Sequence, residues 1–113
     1  MPAIKVETVE EYFATMEKRF EPEGAAGVDA IYQFELSGDE AGTWHVHVQD
    51  GKMTMSDSAH AEPTTTIKMD GGNFVKMSNG TLSGQMAYMT GKMKIAGSIP
   101  MAMKMKNIFP QGS

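Results

Sequence analysis

Cysteine is absent from the 113 residues, which removes disulfides, thiol chemistry and cysteine-ligated metals together. Long apolar runs are absent too, and none approaches the roughly 18 residues of a membrane-spanning helix. The opening MPAIKVETVEEYF holds no apolar stretch of the secretory kind. The closing FPQGS carries neither a peroxisomal tripeptide nor a prenylation cysteine. Net positive charge is missing: 10 Lys and Arg stand against 14 Asp and Glu, giving −4 and a pI near 5.3. Phosphate recognition would want clustered cations instead. No G-x-S-x-G elbow occurs, and neither Gly71-Gly72 nor Gly91 leads into the Lys-Ser/Thr of a phosphate loop. These absences predict a cytoplasmic protein with no nucleic-acid partner. They suit one domain spanning residues 1–113, large enough for a core without staples.

What is abundant is methionine, at 12 positions. Thr8 with Glu11 makes a capping box. Val9, Phe13, Met16 and Phe20 follow at helical spacing, with Tyr12 flanking the stripe, and predict an amphipathic helix of about four turns. Pro22 and Gly24 end it, and residues 23–28 read as one helical turn or a loop. Three alternating strands come next. Ala30–Leu36 turns Ala30, Tyr32, Phe34 and Leu36 to one face, Thr43–Gln49 turns Trp44, Val46 and Val48, and Lys52–Ser56 turns Met53 and Met55. SGDEAG joins the first pair as a hairpin loop, and Asp50-Gly51 joins the second as a tight one. After the loop SDSAHAEP, Thr64–Met69 reads as a fourth strand of this meander, with Thr65, Ile67 and Met69 on one face.

Helices then take over. One carries Phe74, Val75 and Met77 and closes at Asn79-Gly80; the next is capped by Ser83 and carries Leu82, Met86 and Met89 at helical spacing. Gly91 suits a left-handed cap, Lys92–Ile95 alternates as a last strand, and Gly97 breaks it. Ser98 and Pro100 start a final helix. On that helix Met101, Ala102, Met105, Ile108 and Phe109 share a face, while Met103 points away. A methionine-built face re-packs around differently shaped apolar partners. The order of elements predicts an α+β domain.

The stretch from Met86 to Gly97, MAYMTGKMKIAG, resembles the hallmark of sterol-carrier-protein domains, the non-specific lipid-transfer family. The Thr-rich strand before it, Asp70, Phe74, Gly80, and upstream Phe34, Trp44 and Asp50-Gly51 fit the same pattern. The resemblance therefore runs from the first helix to Phe109. It implies a five-stranded, mostly antiparallel sheet covered by helices on one face, with an apolar tunnel. It also implies binding of a fatty acid, fatty acyl-CoA, phospholipid or sterol-like lipid without catalysis and without a cofactor. Carried over by position, the lipid site would be Phe34, Trp44, Phe74, Met77, Met86, Met89, Met93, Ile95, Met101, Met105, Ile108 and Phe109. The chain departs from peroxisomal members of the family in ending Gln111-Gly112-Ser113 rather than in a targeting tripeptide.

Other constellations carry less. His45 and His47 share a strand face, but His60 or Glu62 would have to reach over from a loop to complete a zinc site. Asp57, Ser58 and His60 lie close in sequence, yet a triad is defined by geometry. Lys92, Lys94, Lys104 and Lys106 make the C-terminal part locally basic, which suits transient contact with lipid phosphate or an anionic membrane surface. Two further uses fit a methionine-rich groove. One is a protein-interaction module or homodimer; the other is an accessory subunit presenting an acyl substrate to a separate enzyme.

Overall fold

The backbone N–H of Glu11 donates to Thr8 Oγ1 at 3.0 Å, and Glu11 Oε1 accepts from the Glu7 N–H at 2.9 Å, so the capping residues do start the first helix. That helix, α1, runs Val9–Ala14 and is shorter than the sequence predicts. Thr15 interrupts it. Its hydroxyl donates back to the carbonyls of Glu11 (2.8 Å) and Tyr12 (3.3 Å), competing with the backbone ladder. The chain continues as one tighter 3-10 turn, Met16–Arg19. The stripe survives the break, because Val9, Phe13 and Met16 are all buried.

The computed structural model of the chain describes residues 6–38 and 41–109. Asp39 and Glu40 of the expected hairpin loop, the last four residues and the side chain of Lys106 lie outside the described residues.

Five strands form one sheet: β1 (Ala30–Ser37), β2 (Gly42–Gln49), β3 (Lys52–Ser56), β4 (Thr65–Asp70) and β5 (Met93–Gly97), in the order β3-β2-β1-β4-β5. Three neighbouring pairs are antiparallel. The turn between β2 and β3 has positive φ at both Asp50 (55°) and Gly51 (71°), the twist that suits a two-residue hairpin. The β1–β4 pair is parallel, with Phe34 opposite Ile67. This corrects the four-strand meander: β4 does not continue from β3 but crosses back to the far side of β1. The crossover is pinned at Thr64, whose N–H donates to the Ile31 carbonyl (2.8 Å) and whose Oγ1 accepts from the Ile31 N–H (2.9 Å).

One sheet face collects Tyr32, Phe34, Leu36, Val46, Val48, Ile67, Met69 and Met93, all buried. The helices pack on it. These are α1, then α2 (Gly71–Ser78), α3 (Gly84–Met89), α4 (Ile99–Met103) and α5 (Met105–Ile108). The final helix expected from the sequence is thus two short ones. At the junction the Lys104 N–H bonds the Met101 carbonyl (3.1 Å), an i−3 step that tightens the turn. No helix among the described residues is long and apolar enough to cross a membrane.

Candidate functional site

Three of the helices around β4 and β5 start at a side-chain cap. Asp70 accepts from the Asn73 N–H (3.2 Å) for α2, Ser83 from Met86 (3.4 Å) for α3, and Ser98 from Met101 (3.2 Å) for α4. Two longer-range bonds then fix the last helices. Tyr32 donates its hydroxyl proton to the Met101 carbonyl at 3.1 Å, and the Glu21 N–H donates to the Ile108 carbonyl at 2.8 Å. Gly24 lies against the Asn107 carbonyl so closely that no side chain would fit between them.

Between these helices and the sheet lies a cavity of about 490 Å³. Ile67 of β4 and Met93 and Ile95 of β5 form its floor. Tyr12, Phe74, Met77 and Ser78 close one side; Ser83, Gly84, Gln85 and Tyr88 bring in α3; Ala102, Met103, Met105 and Phe109 come from the chain's last turns. No Asp, Glu, Lys, Arg or His stands among these lining residues. Its two phenols are Tyr12 and Tyr88. Burial pushes the Tyr12 hydroxyl up to about 12, against a smaller opposing pull from the Arg19 charge, so it stays a neutral phenol in ordinary buffers. The Arg19 guanidinium sits 4.6 Å from the centre of the Tyr12 ring. The Ser78 hydroxyl donates to the Val75 carbonyl at 2.9 Å, which leaves its proton turned into the helix. A wall of this kind favours an apolar guest, and the volume falls within the roughly 300–1,000 Å³ of small-molecule sites.

Six of the expected site residues line the cavity: Phe74, Met77, Met93, Ile95, Met105 and Phe109. The others stand elsewhere. Phe34 and Ile108 are buried in the core beside it. Trp44 stacks on Phe13, ring centroids 4.4 Å apart and 12° from parallel. Met101 packs against the core. Met86 and Met89 are exposed, at 52% and 69%, because α3 turns Ala87 inward instead. Nine lining residues were not expected. Tyr12, Ile67 and Ala102 were visible as members of apolar patterns, Tyr88 only within the Met86–Gly97 stretch, and Ser83 as a cap. Met103 was placed on the wrong side by assuming one continuous helix. Nothing in the sequence marks Ser78, Gly84 or Gln85 as lining.

The histidines lie on the opposite sheet face. His45 Nδ1 is 2.7 Å from the Ser58 carbonyl, His47 Nε2 is 2.9 Å from Asp29 Oδ1, and His60 Nδ1 accepts from the Glu62 N–H at 2.9 Å. They pin the crossover loop and the preceding segment to β2. Among the described residues, no group of three or more His, Cys, Asp or Glu could hold a metal ion.

Comparison with known proteins agrees with this architecture. The model of the SCP-2 sterol transfer family matches residues 11–110. Hydroxysteroid dehydrogenase-like protein 2 of Xenopus tropicalis is 36% identical over 107 residues, covering 91% of this chain and 25% of the relative. The Mus musculus protein of the same name is 37% identical over 109 residues, covering 91% and 21%. The chain therefore spans about a quarter of the length of such relatives. Among solved structures, sterol carrier protein domain 2 of Helicoverpa armigera superposes with a TM-score of 0.72 at 26% identity, covering 88% of this chain and 83% of that one. Palmitated SCP2L2 of Aedes aegypti gives 0.72 at 21%, covering 88% and 91%. The sec-alkylsulfatase Pisa1 of a Pseudomonas species gives 0.79 at 17%, covering 95% of this chain and 17% of the sulfatase. The last two likenesses show the fold alone.

Proposed function

The chain belongs to the SCP-2 sterol transfer family, and from that premise we propose that it is a non-catalytic lipid-binding unit that carries the apolar part of a lipid in the cavity between β5 and α2–α5. The observation that supports this best is the cavity wall: about 490 Å³ of space with no charged side chain among the described lining residues. Each buried CH₂ contributes about 0.8 kcal/mol, so an acyl chain gains affinity without any directed hydrogen bond. A fatty acid, fatty acyl-CoA, phospholipid or sterol-like molecule would each suit it. An anionic head group would stay at the mouth, where water and surface cations can meet it. The palmitated state named for the Aedes aegypti protein supports an acyl chain as the guest. The lining side chains proposed to touch lipid are Phe74, Met77, Met93, Ile95, Met105 and Phe109, joined by Tyr12, Tyr88 and Met103. A cytoplasmic setting is part of the same proposal.

Native mass spectrometry of the freshly purified protein, with solvent extraction of what it carries, tests this. A stoichiometric lipid adduct is expected, and a fluorescent fatty acid should be displaced by unlabelled palmitate. A clean unliganded mass with no fatty-acid displacement would sink the carrier reading.

A second reading has its own support. The relatives are about four times longer and are named for a dehydrogenase likeness. The same cavity would then present an acyl or sterol-like substrate to a separate catalytic unit. Co-purification of such an enzyme with the chain supports that role. A homodimer sealing the exposed methionines of α3, seen by sedimentation, would point instead to an interaction module.

A further inference from the structure

Charge is sorted along this chain. All 14 Asp and Glu lie at or before Asp70, where five basic residues accompany them, giving net −9. From Gly71 onward there are five lysines and no carboxylate, giving +5. Apolar exposure is sorted the same way. Among the described residues, the exposed large hydrophobic side chains are Met55 and then Met86, Tyr88, Met89, Ile99 and Met103. The last five all belong to α3 and α4. Tyr88 and Met103 each line the cavity and are each exposed, so they mark its mouth.

We propose that this face docks on an anionic lipid bilayer, with the α3–α4 rim pressed into the interface, its lysines on lipid phosphates and the cavity mouth turned to the membrane. The purpose of the docking, loading and unloading a lipid, rests on the carrier reading above; the docking itself does not. Met86 and Met89 are one turn apart on α3 and do not line the cavity, so they are available to a surface. Lys92 follows directly after the turn that ends α3, and Lys104 directly after Met103. A depression at the strand ends brings Lys92 beside Gly91, while Lys68 and Lys94 in it stand on the sheet face opposite the cavity. Among its described residues the carboxylate is Glu35, 3.9 Å from Lys68.

The other amphipathic helix is unsuited. Its apolar side is spent in the core, and its exposed side presents Glu10 and Glu11, with Glu17 just beyond. Anionic lipid would repel it. A symmetric second copy on the α3–α4 face would set one cationic half against another.

The test uses the full chain with vesicles of phosphatidylcholine alone or with about 30% phosphatidylserine. Binding should rise about tenfold or more with the anionic lipid and fall back in roughly 0.5 M salt. Lys92→Glu with Lys104→Glu should abolish the gain. Because the chain lacks cysteine, Met89→Cys and Glu17→Cys each give one labelling site. A polarity-sensitive dye at position 89 should shift to the blue on docking, and one at position 17 should not. Equal response of the two labels, or binding indifferent to anionic lipid, would overturn the proposal. So would a dimer that Met89→Asp dissociates together with an absence of vesicle binding, which would assign the face to a second copy. Each variant is also tested for fatty-acid binding without vesicles. Fatty-acid binding that persists while docking is lost locates the loss on this face. Docking that persists where no fatty acid binds supports the docking and removes the carrier reading instead.

Discussion

One face of one sheet is sealed at one side and open at the other. Over β1 and β2, α1 delivers Phe13 into an aromatic cluster: stacked on Trp44 at 4.4 Å and on Phe74 at 5.7 Å, and edge-on to Phe34 at 5.4 Å. Tyr12 meets Phe74 edge-on at 4.8 Å. Over β4 and β5 the same layer holds a cavity whose wall includes Met77, Met93, Met103 and Met105, and its helices are only five or four residues long past Ser98. Rings have few rotamers and pack to a fixed shape, whereas methionine has three rotatable bonds and settles for several. Helices this short cannot hold themselves, so Tyr32, Glu21 and the Ser98 cap hold them. The sealed side therefore supplies stability, and the open side is free to adapt to a guest.

The largest expected effect tests the sealed side. Phe13→Ala removes the ring that four other aromatics touch and should cost about 3–5 kcal/mol. Urea unfolding followed by the fluorescence of Trp44, the single tryptophan, measures it. A loss below about 1 kcal/mol would break the comparison, because the cluster would then not be what holds the fold.

High pH comes next in size. Burial pushes the hydroxyls of Tyr12 and Tyr32 up to about 12, from 10 when exposed. The unfolded chain thus releases these protons near pH 10, while the folded chain keeps them to about pH 12. Stability is whole below pH 10 and drains as pH rises toward 12, at about 1.4 kcal/mol per unit for each tyrosine at most. Tyr12→Phe and Tyr32→Phe should each shallow that slope in a series of urea midpoints. Tyr32 also ties α4 through the Met101 carbonyl, so its variant alone should loosen the open side, read as faster amide exchange in α4.

The two sides were not equally legible in the sequence. Alternation named the inward residues of β1, β2, β4 and β5, though Met55 of β3, expected on the same face, is exposed. The stripe of Val9, Phe13 and Met16 named the face of the first helix, because those patterns follow from backbone geometry alone. Neighbours do not follow from periodicity. A pattern says which way Ile67 points and not which strand it lies beside, and the return of residues 57–64 to Ile31 decided that. The open side was misread where short helices broke phase. The bend at Lys104 brought Met103 into the wall. In α3 it is Ala87, a fully buried residue, that went inward where the helix packs on β5. Met86 and Met89 were turned out as a result.

A filled cavity should separate binding from folding. Met105→Trp places an indole in the space that Met105 lines from α5. Fluorescent fatty-acid affinity is expected to fall about tenfold, equivalent to roughly 1.4 kcal/mol. The urea midpoint should move little, since a cavity wall has room that a packed core lacks. If stability falls as far as in Phe13→Ala, the open side is packed as tightly as the sealed one, and the distinction between them fails.

The smallest effect is the sharpest check on where α3 points. Met86→Ala and Met89→Ala remove exposed side chains that do not line the cavity. Each should change stability by less than about 0.5 kcal/mol. Fatty-acid affinity in vesicle-free solution should stay within about twofold. Ala87→Leu on the same helix is the contrast: it forces a larger group into a fully buried position and should cost about 1–3 kcal/mol. Were Met89→Ala instead to weaken fatty-acid binding tenfold, α3 would have to rotate on loading and swing its methionines onto the guest. The open side would then be a moving wall rather than an adaptable one.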